Sequence, residues 1–92
     1  MSLVDLDERL HTERNIWLAT VRPDGSPHLT PIWFVWQDAR MWMCTGATAV
    51  KTRNVRREPR VMVSLESGND PVVGVGSVIL LERWLMGGVI ET

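Results

Sequence analysis

A tight turn between two apolar runs constrains this chain most. Residues Arg22 to Pro27 read RPDGSP and separate LATV (Leu18 to Val21) from LTPIWFVW (Leu29 to Trp36). Proline presets the second turn position, aspartate bonds to the nearby backbone, and Gly25 accepts a positive φ. Two strand-forming runs joined in this way predict an antiparallel hairpin. In the first run Ile16 and Leu18 share one face, and Trp17, Ala19 and Val21 the other. The second, read as one strand from His28 to Trp36, is apolar on both faces after Ile32, so cover is expected on both. Pro31 cannot donate to a ladder and predicts an edge or a bulge.

The remaining pattern extends this hairpin. Gln37 to Arg40 reads as a turn and Met41 to Thr45 as a third strand. Thr48 to Glu58 is a predicted helix, with Thr48 as N-cap and Pro59 just past its end. Val61, Val63 and Leu65 alternate with Met62, Ser64 and Glu66 as in a half-buried strand. Val72 to Trp84 is a last long strand, interrupted by Gly74 and Gly76, and residues 85–92 carry little pattern. Near the start, Leu3, Leu6 and Leu10 predict an amphipathic helix from Val4 to Thr12, capped by Ser2 or Asp5 and ended at Asn15. The sum is five strands in meander order with one helix inserted after the third. That is a mainly β chain with flanking helices, a small antiparallel barrel. One domain over residues 1–92 is expected: a helix at 4–12, barrel strands and inserted helix at 16–84, and a short tail.

Composition narrows the partners. With 92 residues, 45% hydrophobic content and five tryptophans, the chain holds more apolar material than so small a monomer easily hides. An obligate dimer is the expected outlet. The formal net charge of -1 draws no nucleic acid. Arg53, Arg56, Arg57 and Arg60 cluster without interleaved aromatics, and are expected to pair with Glu58, Glu66 and Asp70 on a solvated face. The single cysteine, Cys44, excludes an internal disulfide framework and fits a reducing cytoplasm. No acid or base stands beside it, so it reads as a buried, inert thiol. The acidic N-terminus lacks a signal-peptide pattern, and no apolar run is long enough to span a membrane. His11 and His28 belong to no metal-spaced set, so no metal is expected. Paired carboxylates, a Ser-His-Asp set and H-E-x-x-H are all absent. Catalytic side chains are therefore unassigned, and any chemistry belongs to a cofactor.

The third strand empties into Thr45-Gly46-Ala47-Thr48, and a helix opens there with Lys51, the only lysine, in its first turn. Free backbone N–H groups and one ammonium would converge on a point suited to a phosphate. An ordinary strand-to-helix turn with a solvated lysine has the same spacing, and spacing alone does not choose between them. Asn54 lies three residues on, where it reaches a cofactor, braces the loop or is simply solvated. Trp33, Phe34, Trp36 and Trp42 either stack on a planar ring or fill core and interface. Trp33, beside the edge that Pro31 leaves open, is the one expected near a ring.

The runs WLATVRPDGSPHLTPIWFVW (Trp17 to Trp36), MWMCTGATAVKTRNVRREPRVMVSLE (Met41 to Glu66) and DPVVGVGSV (Asp70 to Val78) together resemble the pyridoxamine 5′-phosphate oxidase-like flavin-binding split-barrel superfamily. Within it they look most like the actinobacterial branch of flavin- or deazaflavin-dependent reductases. The resemblance covers Ile16 to Trp84. It implies a six-stranded split β-barrel and a homodimer with two cofactors at the subunit interface. It implies that Thr30, Pro31, Ile32 and Trp33 run beside the isoalloxazine or deazaflavin ring. Cys44 and Thr45 would sit near the phosphate, Val50 and Lys51 would contact it, and Asn54 would be nearby.

Oxidases of that superfamily carry a basic pair on the second strand. Thr30 to Val35 carries no charge, so a substrate other than pyridoxamine phosphate is expected. Superfamily members continue past the fifth strand into a helix and a closing strand, so a barrel incomplete at its C-terminus is expected. The implied function is hydride transfer through bound FMN, or through the deazaflavin coenzyme F-420, to a small molecule. Arg53, Arg56 and Arg57 are available to a longer acidic cofactor tail. The alternative is a non-catalytic flavin-binding or degenerate dimerisation module.

Overall fold

The computed structural model describes residues 1–81 and 85–91, the latter by their backbone alone. Trp84, the expected end of the last strand, lies outside the described residues.

Helix α1 (Leu3–Thr12) opens on a capping box. The Ser2 hydroxyl accepts from the Asp5 N–H (3.1 Å), and the Asp5 carboxylate accepts from the Ser2 N–H (3.2 Å). Both residues expected as caps thus act together, and the Ser2 bonds hold the Asp5 carboxyl below its ordinary range. The helix is capped at its other end by Glu13, earlier than Asn15.

Strands β1 (Asn15–Val21) and β2 (Pro27–Trp33) form the expected hairpin. Its turn places Gly25 at φ 88°. The Asp24 carboxylate accepts from the Ser26 hydroxyl (2.6 Å) and N–H (2.9 Å), which keeps this acid below the usual carboxylate range.

The second run is not one strand. It breaks at Phe34, and β3 (Val35–Gln37) then pairs with β4 (Arg40–Cys44). That hairpin turns on Asp38 and Ala39, both left-handed at φ 56° and 54°. Asparagine-glycine suits such a turn, whereas Ala39 carries a Cβ in a region that disfavours it. Ala39→Gly is expected to stabilise the fold by about 1 kcal/mol, read from the midpoint of urea denaturation.

Helix α2 (Val50–Arg57) is shorter than expected, and its N-cap is Ala49, not Thr48. Strands β5 (Arg60–Leu65), β6 (Val73–Leu81) and β7 (Leu85–Glu91) complete the set. The order across the sheet is β2-β1-β5-β6-β7-β4-β3, not a meander of five strands nor the implied six. The segment read as a patternless tail is β7, which sits between β6 and β4 and pairs antiparallel with both. Its glycines mask the alternation by which strands are recognised.

Phe34 explains how this sheet becomes a barrel. Strands β2 and β3 lie at opposite edges of the sheet yet are joined by this one residue. The chain crosses the split there. The Phe34 N–H donates to the Arg14 carbonyl (2.8 Å), and the ring is buried in the core. Pro31 lies on edge strand β2, where its missing N–H costs no ladder bond.

Inside the barrel are Ile16 and Leu18 from β1, Ile32, Met41, Val63 and Leu65. The alternate positions face outward. Leu29, Trp33, Met62, Val75 and Ile79 are all exposed, so the chain itself covers one of the two apolar faces.

Candidate cofactor site

Along β4, Met41 and Met43 point into the core while Trp42 and Cys44 fall on the outer side. Cys44 is exposed, not buried, because it ends the strand on the solvent face. The next residue, Thr45, begins the loop to α2.

That loop is held by α2 itself. The Thr52 hydroxyl donates to the Gly46 carbonyl (2.7 Å) and approaches the Thr45 hydroxyl (3.3 Å). The Ala49 N–H donates to the same Gly46 carbonyl (3.1 Å). Thr52→Val is expected to cost about 1–2 kcal/mol in urea denaturation, because a buried hydrogen bond is lost with little change of shape.

No side chain caps α2, and its first turn contains no acid. Its opening N–H groups therefore remain available to an anion. Lys51 stands in that turn, half-buried, and its ammonium makes no hydrogen bond or ion pair among the described residues. These donors fit a phosphate group: a cation and helix N–H groups, without a carboxylate in that turn to compete.

Beside the loop lies an aromatic slot of ≈ 290 Å³, formed by Trp33, Phe34, Val35, Trp42, Met43 and Cys44. It opens where the chain crosses from β2 to β3. The Trp42 indole N–H donates to the Gln37 carbonyl (2.9 Å) and fixes that ring. Trp33 is 75% exposed, an unusual state for an indole without a partner. Slot and loop meet at Cys44 and Thr45, so one molecule could occupy both.

The residues expected at the site are distributed as follows. Trp33 and Cys44 line the slot, and Thr45, Val50 and Lys51 belong to the loop and helix start. Pro31 faces outward with Trp33, whereas Thr30 and Ile32 turn toward the interior. Asn54 is 3% exposed, and its amide donates to the Thr20 hydroxyl (3.0 Å), tying α2 to β1. Sequence reasoning missed Val35 and Thr52. Val35 was hidden by reading β2 and β3 as one strand. Thr52 was signalled only by a hydroxyl set two residues into the helix.

The arginines are partly committed elsewhere. Arg57 donates to the Val21 carbonyl, and Arg60 pairs with Glu58 (2.9 Å), holding that carboxyl below its usual range. Asp70 instead meets Arg9. Among the described residues no group of side chains could hold a metal ion, and no helix is long and apolar enough to cross a membrane.

The sequence profile of the family described as pyridoxamine 5′-phosphate oxidase matches residues 5–85. No curated protein matches the chain. Among solved structures, a conserved hypothetical protein from Mycobacterium tuberculosis is 35% identical over 90% of this chain, with a TM-score of 0.81. The chain spans 55% of that protein's length. An F-420 reductase is 20% identical, with a TM-score of 0.81 over 94% of this chain and 93% of its own. An FAD-binding protein from Mesorhizobium loti is also 20% identical, with a TM-score of 0.82 over 100% of this chain and 91% of its own. At that identity the latter two speak for the fold.

Proposed function

The chain belongs to the pyridoxamine 5′-phosphate oxidase family, and from that premise we propose that it binds a flavin-type cofactor and is an oxidoreductase acting on a small molecule. The observation that carries this reading is the junction of an aromatic slot with an uncapped, lysine-bearing helix start at the end of β4. Lys51 and the first N–H groups of α2 would hold the phosphate, with Thr45 and Val50 beside it. Trp33 and Trp42 would flank the ring, Cys44 would lie at the join, and Thr30 to Ile32 would support the strand beneath. Asn54 serves the site by fixing α2 through Thr20. When bound, such a cofactor supplies the hydride chemistry, and the chain supplies orientation and exclusion of water.

FMN is the preferred cofactor, since one phosphate matches one lysine. Coenzyme F-420 is the second choice, with Arg53 and Arg56, both exposed on the same helix as Lys51, as the cations available to its acidic tail. The exposed apolar strip of Trp17, Leu29, Met62, Val75 and Ile79 supports a homodimer formed through the outer sheet face. The lone thiol suits a reducing compartment, the cytoplasm.

The test is tryptophan fluorescence during titration with FMN and, separately, with coenzyme F-420. Saturable quenching that shrinks in Trp33→Phe, leaving the part due to Trp42, is expected from one of them. Failure of both to quench would sink the reading.

A second reading, cofactor carriage without turnover, is favoured by one feature. The slot's described wall offers no acid or base besides the Cys44 thiol. A heme storage protein from Vibrio cholerae shares the fold, at 15% identity and a TM-score of 0.74. Reoxidation of the reduced, protein-bound cofactor by added acceptors separates the two: turnover supports the enzyme, and binding without turnover supports the carrier.

A further inference from the structure

A second cavity, of ≈ 200 Å³, lies inside the barrel beneath α1 and away from the outer-face slot. Leu6 and Leu10, one helical turn apart, form its roof, and Ile16, Met41, Leu65 and Trp36 stand among its walls. We propose that this cavity is a binding site for a small, uncharged, apolar molecule about the size of one aromatic ring, with α1 as its cover.

The chemistry follows from the walls. The described side chains around the space are apolar apart from the Trp36 indole N–H, so water there would find few hydrogen-bond partners. Apolar cavities of about 150 Å³ stay dry and accept benzene, and this one is larger. The cover is lightly attached. No residue of α1 is buried. Its polar tie to the barrel is Arg9, whose guanidinium donates to the Asp70 carbonyl (2.8 Å) and lies 3.4 Å from the Asp70 carboxylate. Arg9 is itself braced by Glu13 (2.7 Å). Lifting α1 therefore breaks few contacts and leaves the sheet ladders whole, which gives a ligand a way in without global unfolding.

Trp36 faces this cavity, whereas Trp33 and Trp42 face the slot. Their indole N–H resonances distinguish the two spaces. In a titration of the protein with benzene followed by NMR, the Trp36 signal should shift saturably while those of Trp33 and Trp42 stay in place. Saturating the slot with FMN should leave the benzene affinity unchanged. Leu6→Phe, which fills the cavity from its half-buried roof, should weaken benzene binding about tenfold or more. Arg9→Ala should speed exchange between free and bound forms. If Leu6→Phe fails to give a cooperative melt, Val72→Leu fills the space from a wall and carries the same expectation. No Trp36 shift up to the solubility of benzene, a shift at Trp33 or Trp42 instead, or unchanged affinity in the filled variant would each overturn the proposal.

Discussion

Lys51→Ala is expected to weaken FMN binding by about 1–3 kcal/mol, a loss of roughly fivefold to more than a hundredfold. The ammonium is half-buried in the first turn of α2, without an ion-pair partner among the described residues. Removing it takes nothing from the fold, and leaves the phosphate with backbone N–H groups alone. The melting temperature and far-UV circular dichroism should therefore stay as they are while the dissociation constant rises. Lys51→Arg should restore part of the affinity, since charge is kept and shape is not. Equal affinity in the wild-type protein and Lys51→Ala would move the anion site away from this helix.

Phe34→Ala carries the largest expected loss of stability, about 3–5 kcal/mol. Domains of this size have only about 5–15 kcal/mol in total. Phe34 is 6% exposed and occupies the single residue that joins the two sheet edges. Truncating its ring leaves a void where the barrel closes, and removes one wall of the aromatic slot. Urea denaturation should show an early midpoint, and the surviving folded fraction should bind cofactor poorly. Phe34→Leu should recover much of the stability but less of the binding. A loss below about 1 kcal/mol for the alanine variant would mean that the crossing is held by its backbone alone.

Turn chemistry was the most legible part of this chain. Pro23, Asp24 and Gly25 each have a local reason to turn, and the hairpin they specify is present in register. The loop before α2 was legible for the same reason, since the small residues Gly46 and Ala47 mark a turn between strand and helix. The crossing at Phe34 was not. Its neighbours Trp33 and Val35 are strand formers, and only the long-range bond to Arg14 ends one strand and begins the next. The exposure of Cys44 was missed because alternation fixes a face but not which face is covered. Asn54 illustrates a related limit. A polar residue on a charged helix reads as solvated, yet Thr20, far off in sequence, gives it a buried partner. Strand β7 escaped notice because Gly87 and Gly88 have no side chains with which to signal a period.

Strand β7 also governs the order in which the protein can be made. Residues 41–44 of β4 find their ladder partners at residues 85–88, and β6 finds its second neighbour in the same strand. A ribosome delivers the hairpin of β1 and β2 early and the hairpin of β3 and β4 soon after. Neither set of strands can be bridged through the sheet until β7 has left the exit tunnel. Until then β4 and β6 wait with bare edges, the condition under which nascent chains recruit chaperones or pair with the wrong neighbour. Closure of this barrel therefore comes late and is slow, as its many distant pairings require.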